Sequence, residues 1–140
     1  MHIVQAALRE MVRDAENSFP DECCGFLFGR ETESDRIVLQ AKPVLNAKEG
    51  DKRRRFLITP KDYLAAELYA EQHDLLLLGV YHSHPDHPAI PSEHDRQAAQ
   101  PFFSYVILSV NNNVFADLRS WRLNDAFRFE EEFITDRQLT

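Results

Sequence analysis

The chain has 140 residues, 44% hydrophobic and 28% charged, with 16 Lys and Arg against 23 Asp and Glu, a net charge of −7. That length predicts a single domain, residues 1–140, whose core needs neither disulfide nor metal staples. The acidic balance argues against a nucleic-acid or anionic-membrane partner, since both reward an excess of Lys and Arg. The longest apolar run, Leu75 to Val80, falls far short of the roughly 20 residues that cross a bilayer. The N-terminal stretch Met1 to Ser18 carries charge throughout and lacks the apolar segment of a signal peptide, so a cytoplasmic protein is expected. Cys23 and Cys24 are neighbours that point to opposite faces of a strand, poor geometry for a disulfide, and reduced thiols fit the same compartment.

Val4, Leu8, Met11, Val12, Ala15 and Phe19 recur at helical spacing and predict a helix over Met1 to Ser18, ending before Pro20. Glu22 to Gly29 reads as a strand, Arg30 to Asp35 as a charged turn and Ile37 to Gln40 as the returning strand of a hairpin. Pro43 to Arg54 reads as a loop. The basic run Lys52-Arg53-Arg54-Arg55 is expected to be a solvated part of it, with docking of an acidic partner as the alternative. Phe56 to Ile58 resumes as a strand. Thr59 as N-cap, Pro60 at the first helical position and Asp62 then start a second helix that runs to about His73, itself a surface residue. Leu75 to His82 is continuously apolar, the pattern of a central strand buried on both faces. Pro85, Pro88 and Pro91 keep the following segment irregular until Ser92 opens a short helix, stopped at Gln100 by Pro101. Tyr105 to Val110 is a strand, Asn111 to Asn113 a turn, and Val114 to Leu118 and Ser120 to Leu123 return, with Trp121 in the core. Asn124-Asp125 then turns into Phe127, Phe129 and Phe133. This order predicts an α/β fold, a mixed β-sheet flanked by helices.

Chemistry concentrates in Tyr81 to Gln97, YHSHPDHPAIPSEHDRQ. His82 and His84 lie two apart on an extended strand, so both imidazoles project from one face. Asp95 follows where a carboxylate can fold back onto them. Two imidazoles and one carboxylate suit zinc, and three protein ligands leave a fourth tetrahedral position open, as in catalytic rather than structural sites. Ser92-Glu93-His94-Asp95 is equally an S-x-x-D capping box, which satisfies backbone donors at a helix start. His87, His94 and Asp86 read as rim residues, since none shares the strand face of His82 and His84.

The run His82-Ser83-His84-Pro85, six residues, Ser92, two residues, Asp95 resembles the signature of the JAMM/MPN (JAB domain) metalloproteases. A second anchor is Asp21-Glu22-Cys23-Cys24-Gly25-Phe26-Leu27-Phe28-Gly29, similar to that family's glutamate ahead of a Cys-Gly pair. Asn46, Arg55-Phe56, Thr59-Pro60 and Trp121-Arg122-Leu123 also match small prokaryotic members. The resemblance implies a cytidine-deaminase-like JAMM/MPN fold and a zinc metalloprotease in which His82, His84 and Asp95 hold Zn2+. It assigns Glu22 as the general base that passes a proton to the leaving amine and Ser92 as the group steadying the oxyanion, while Ser83, on the other strand face, is structural. The implied reaction is hydrolysis of a peptide or isopeptide bond after the Gly-Gly tail of a ubiquitin-like β-grasp or sulfur-carrier protein, the tail adding beside a strand edge. Glycines let the backbone lie close to the metal where a Cβ would clash. Two rivals stand beside this reading: a metal-free MPN scaffold acting in protein interaction, and a DNA-repair-associated branch with a related H-x-H-P motif, which the acidic charge disfavours.

Overall fold

The computed structural model describes residues Met1–Thr140. Ten elements follow in chain order: β1 His2–Ile3, α1 Gln5–Ser18, β2 Cys24–Glu31, β3 Arg36–Val44, α2 Pro60–Gln72, β4 Leu76–Pro85, α3 Glu93–Ala98, β5 Ser104–Asn111, β6 Val114–Leu123 and β7 Phe129–Glu132. The seven strands form one sheet in the order β1-β3-β2-β4-β5-β6-β7. β1 runs parallel to β3 and β4 parallel to β5, and the other pairs are antiparallel, so the sheet is mixed as expected.

Apolar spacing explains the layers. α1 buries Ala7, Leu8, Met11, Val12 and Ala15, one stripe of an amphipathic helix, against a sheet face that includes Leu27, Val38, Leu78 and Val106. α2 covers the opposite face through the small side chains of Ala66 and Ala70, beside Phe26, Phe28, Val80 and Tyr105. Cys23 belongs to the first cluster and Cys24 to the second, and both thiols are free. Thr59 caps α2 through its side chain, which accepts the Asp62 N–H at 3.1 Å, with Pro60 behind it. No helix is long and apolar enough to cross a membrane.

β4 is the hub. It pairs with β2 on one side and β5 on the other, and every residue from Leu78 to Pro85 is buried. Gly79 makes the parallel pairing possible, because a Cβ there would lie 1.9 Å from the Ser104 carbonyl oxygen.

Several boundaries differ from the sequence reading. The chain opens with β1 before α1 begins, because Val4 N–H donates to Val38 O at 3.1 Å and ties the first residues to the sheet edge. β3 is longer than its apolar run and extends to Val44, since pairing with β2 holds it through the polar Lys42 and Pro43. Phe56 to Ile58 is not a strand: the Leu57 N–H is taken by Asn46 Oδ1 at 3.1 Å and its carbonyl by the Ala47 N–H at 2.9 Å, a loop pairing instead of a ladder. The two predicted segments from Val114 to Leu123 are one continuous strand. The turn before it holds Asn112 and Asn113 at φ 48° and 71°, the left-handed conformation that Asn tolerates.

Candidate metal centre

Strand alternation puts Val80 and His82 on the α2 face of β4 and Tyr81 and Ser83 on the α1 face, where the Tyr81 hydroxyl donates to Asp14 Oδ2 at 2.8 Å. Ser83 clamps β4 to the end of β2: its hydroxyl accepts the Cys23 N–H at 2.8 Å, and its own N–H donates to Cys23 O at 3.1 Å. The residue next to the clamp is Glu22.

His82 is 1% exposed, and the Phe56 ring stacks on it with centroids 4.5 Å apart. Burial lowers its pKa, so the ring is neutral near pH 7. His84 Nδ1 lies 2.8 Å from the Pro88 carbonyl oxygen. A carbonyl only accepts, so Nδ1 carries a hydrogen and Nε2 is the ring nitrogen turned inward. That atom is 3.1 Å from His82 Nε2 and 3.2 Å from Asp95 Oδ2, and His82 Nε2 is 3.3 Å from the same oxygen. Burial disfavours the Asp95 carboxylate, but attraction to His82, with hydrogen bonds to it and from the Ser92 backbone, holds its carboxyl far below the usual range.

Capping and ligation meet in one atom. Ser92 N–H donates to Asp95 Oδ2 at 2.9 Å while Asp95 N–H donates to Ser92 Oγ at 3.0 Å, a complete capping box at the start of α3. The box aims Oδ2 at the histidines. Three electron-rich atoms thus converge with too few hydrogens among them, and a cation is the group that reconciles such a set. His82, His84 and Asp95 fit a metal.

Glu22 is 5% exposed, and its Oε1 has no hydrogen-bond partner. Burial first, then the charge of Asp95, pushes its carboxyl up to about 9, with Arg55 pulling the other way. Its backbone is held from both sides by the loop after β3. Its N–H donates to Lys52 O at 2.7 Å, and its carbonyl accepts from Asn46 Nδ2 at 3.0 Å. Asn46 uses its whole amide here: Nδ2 also donates to Arg55 O at 3.1 Å, and Oδ1 accepts the Lys48 and Leu57 N–H groups at 3.0 and 3.1 Å.

A cleft of about 680 Å³ is lined by Glu22, His84 and Ser92 together with Arg54, Arg55, His87 and His94. A second, smaller cavity of about 200 Å³ is lined by His82 and Asp95 together with Phe56, Tyr63, Tyr105 and Phe129. His87 and His94 are exposed wall residues outside the ligand cluster, and Asp86 turns away to accept the Asn112 N–H at 2.8 Å. Trp121 departs from its expected core place. It is half-buried, and its Nε1 donates to Ala89 O at 3.0 Å, holding the loop that carries Pro88. Asn46 and Phe56 enter the sequence reading only as matches to the family, without a role, and the Pro88 carbonyl not at all, because their roles depend on loop geometry rather than spacing.

A mixed sheet carrying a His-x-His pair on its central strand and an aspartate on the next short helix offers one metal ion three ligand atoms within an α/β fold. The chain belongs to the prokaryotic homologs of the JAB domain, the family it matches over residues 4–124. It is 30% identical over 129 residues to the desampylase of Pyrococcus furiosus, covering 92% of this chain and 85% of that one. With the CysO-cysteine peptidase of Mycobacterium tuberculosis it shares 34% over 122 residues, 86% and 81% of the two chains. Among solved structures, a Desulfitobacterium hafniense protein superposes with a TM-score of 0.83 at 29% identity, over 99% of this chain and 94% of that one. A JAB1/MPN domain protein from Archaeoglobus fulgidus shares the fold with a TM-score of 0.62 at 17% identity, over 96% and 94%.

Proposed function

We propose that residues 1–140 act as one JAMM/MPN domain, a cytoplasmic zinc peptidase that cuts after the Gly-Gly end of a ubiquitin-like or sulfur-carrier protein. The single observation that carries this is the converged triangle of His82 Nε2, His84 Nε2 and Asp95 Oδ2, with edges of 3.1 to 3.3 Å. Two ligands about 2.0–2.1 Å from a tetrahedral zinc lie about 3.3 Å apart, so the triangle matches that ion in size as well as in donor type. The relatives support the substrate class, since their names describe removal of protein modifiers or of cysteine from a carrier protein.

Bound there, zinc would supply a Lewis acid that acidifies water near neutrality and leaves a position open for substrate. The chain's own groups do the rest. Glu22, braced by Asn46 and Lys52 beside the cleft and ionised once a bound cation's charge offsets its burial, takes a proton from the attacking water as oxygen adds to the scissile carbonyl. It then delivers that proton to the departing amine as the C–N bond breaks. Ser92 Oγ accepts the Asp95 N–H, so its own hydrogen remains free to donate to the developing oxyanion. A metal-free scaffold would be expected to have lost some ligands, whereas Glu22, His82, His84, Ser92 and Asp95 are all present.

The test combines metal analysis and mass spectrometry. The purified protein should hold close to one zinc, and His84→Ala should lose it. Incubation with a β-grasp protein bearing an extended Gly-Gly tail should yield the product trimmed after the second glycine, blocked by a chelator. Efficient cutting of a tail with Phe in place of that glycine would point instead to a general peptidase.

A further inference from the structure

Resting on the hydrolase reading above, we infer that Arg54 and Arg55 form an anion subsite for the α-carboxylate of the leaving group. The enzyme would then release a carboxy-terminal amino acid rather than cut an isopeptide bond to lysine.

Glu22 protonates the departing amine, so the cleft it floors is the leaving-group side of the bond. Two guanidinium groups stand on the wall of that cleft. Arg54 reaches only Asp51, at 3.8 Å between exposed groups, and Arg55 has no carboxylate within ion-pair distance. Of the two acidic side chains lining the cleft, Glu22 is the proposed base itself and Glu93 is already held by Arg96. Neither guanidinium is within ion-pair distance of a carboxylate lining the cleft, in a chain of net charge −7. Guanidinium forks bind carboxylates bidentately, with the positive charge aimed where a free carboxylate would lie.

The leaving groups of the two candidate reactions differ at that place. An amino acid joined by its α-nitrogen presents a carboxylate two bonds beyond the departing nitrogen. A lysine joined by its ε-nitrogen presents a methylene chain there, which gains nothing from two arginines. The arginines also sit on the same short loop as Asn46 and Phe56, whose contacts fix it to Glu22 and His82, so the subsite is positioned relative to the reacting bond. The balanced reaction is hydrolysis: water adds to the second glycine's carbonyl carbon, the C–N bond breaks, and the free amino acid leaves with the proton Glu22 returns.

The experiment uses the zinc-loaded protein and a β-grasp partner whose Gly-Gly tail carries one further residue, either as the free acid or as the carboxamide. For wild type, kcat/KM on the acid should exceed that on the amide by about ten- to a hundredfold, the span of a charge-assisted pair. In Arg54→Ala/Arg55→Ala the acid-to-amide ratio should fall to near one, with zinc content and circular dichroism unchanged. Arg55→Glu should invert the preference. Equal wild-type rates on acid and amide would overturn the subsite while leaving the hydrolase reading intact. Cleavage of neither substrate by zinc-replete protein would remove the hydrolase reading, and the subsite with it.

Discussion

Glu22 shows how one side chain can be costly to the fold and useful to the chemistry. Its carboxyl lies 5% exposed with an unpartnered oxygen, and burial pushes its pKa from 4.5 up to about 9. The sign follows directly. Between about 4.5 and 9 the folded chain holds a proton that the unfolded chain has released, so stability falls as pH rises through that window. In chelator, wild type should therefore lose stability from pH 5 to pH 9 relative to Glu22→Gln, which has no proton to hold. Urea unfolding at several pH values checks this, and parallel pH profiles would show that Glu22 is not the group responsible. The same substitution should keep the metal yet reduce turnover by about 10²-fold or more, because an amide cannot accept the water's proton.

At the scale of elements, the sequence marked the parts whose signals are periodic or chemical and missed those set by pairing. α1 and α2 were legible from apolar spacing and from Thr59-Pro60, and β4 from its unbroken apolar run. The convergence of His82, His84 and Asp95 was legible because the two histidines alternate on that strand and the capping box fixes where Asp95 begins its helix. β1 was not, since two residues leave no period and only the hydrogen bond from Val4 to Val38 holds them. The segment Phe56 to Ile58 has strand composition, yet Asn46 takes its backbone groups and makes it a wall of the site. Gly79 belongs to this scale as well. With a Cβ there 1.9 Å from Ser104 O, Gly79→Ala should push β5 from β4 and cost about 1–3 kcal/mol or more, read as a lowered urea midpoint. An unshifted midpoint would mean the strands move apart at no cost.

For the whole molecule, the three candidate ligands join the central strand to α3 across an irregular proline-rich loop, so anything bound to them ties the strand to the helix. Zinc at a thousandfold its Kd should add about 4 kcal/mol to stability, on the order of 10 °C in Tm for a chain of this size. Calorimetry with and without zinc measures it, and His84→Ala should show no such rise. An equal rise in that variant would place the stabilising ion elsewhere. The oxygen of Asp95 that faces the histidines is also the oxygen that receives the Ser92 N–H. For descent this sets an order of loss. A lineage drifting from enzyme to scaffold can surrender His82, whose Nδ1 bonds to nothing, at little cost beyond its packing under Phe56. Asp95 is harder to give up, because its loss also unseats the start of a helix, so an aspartate at this place is held by the fold as well as by the chemistry.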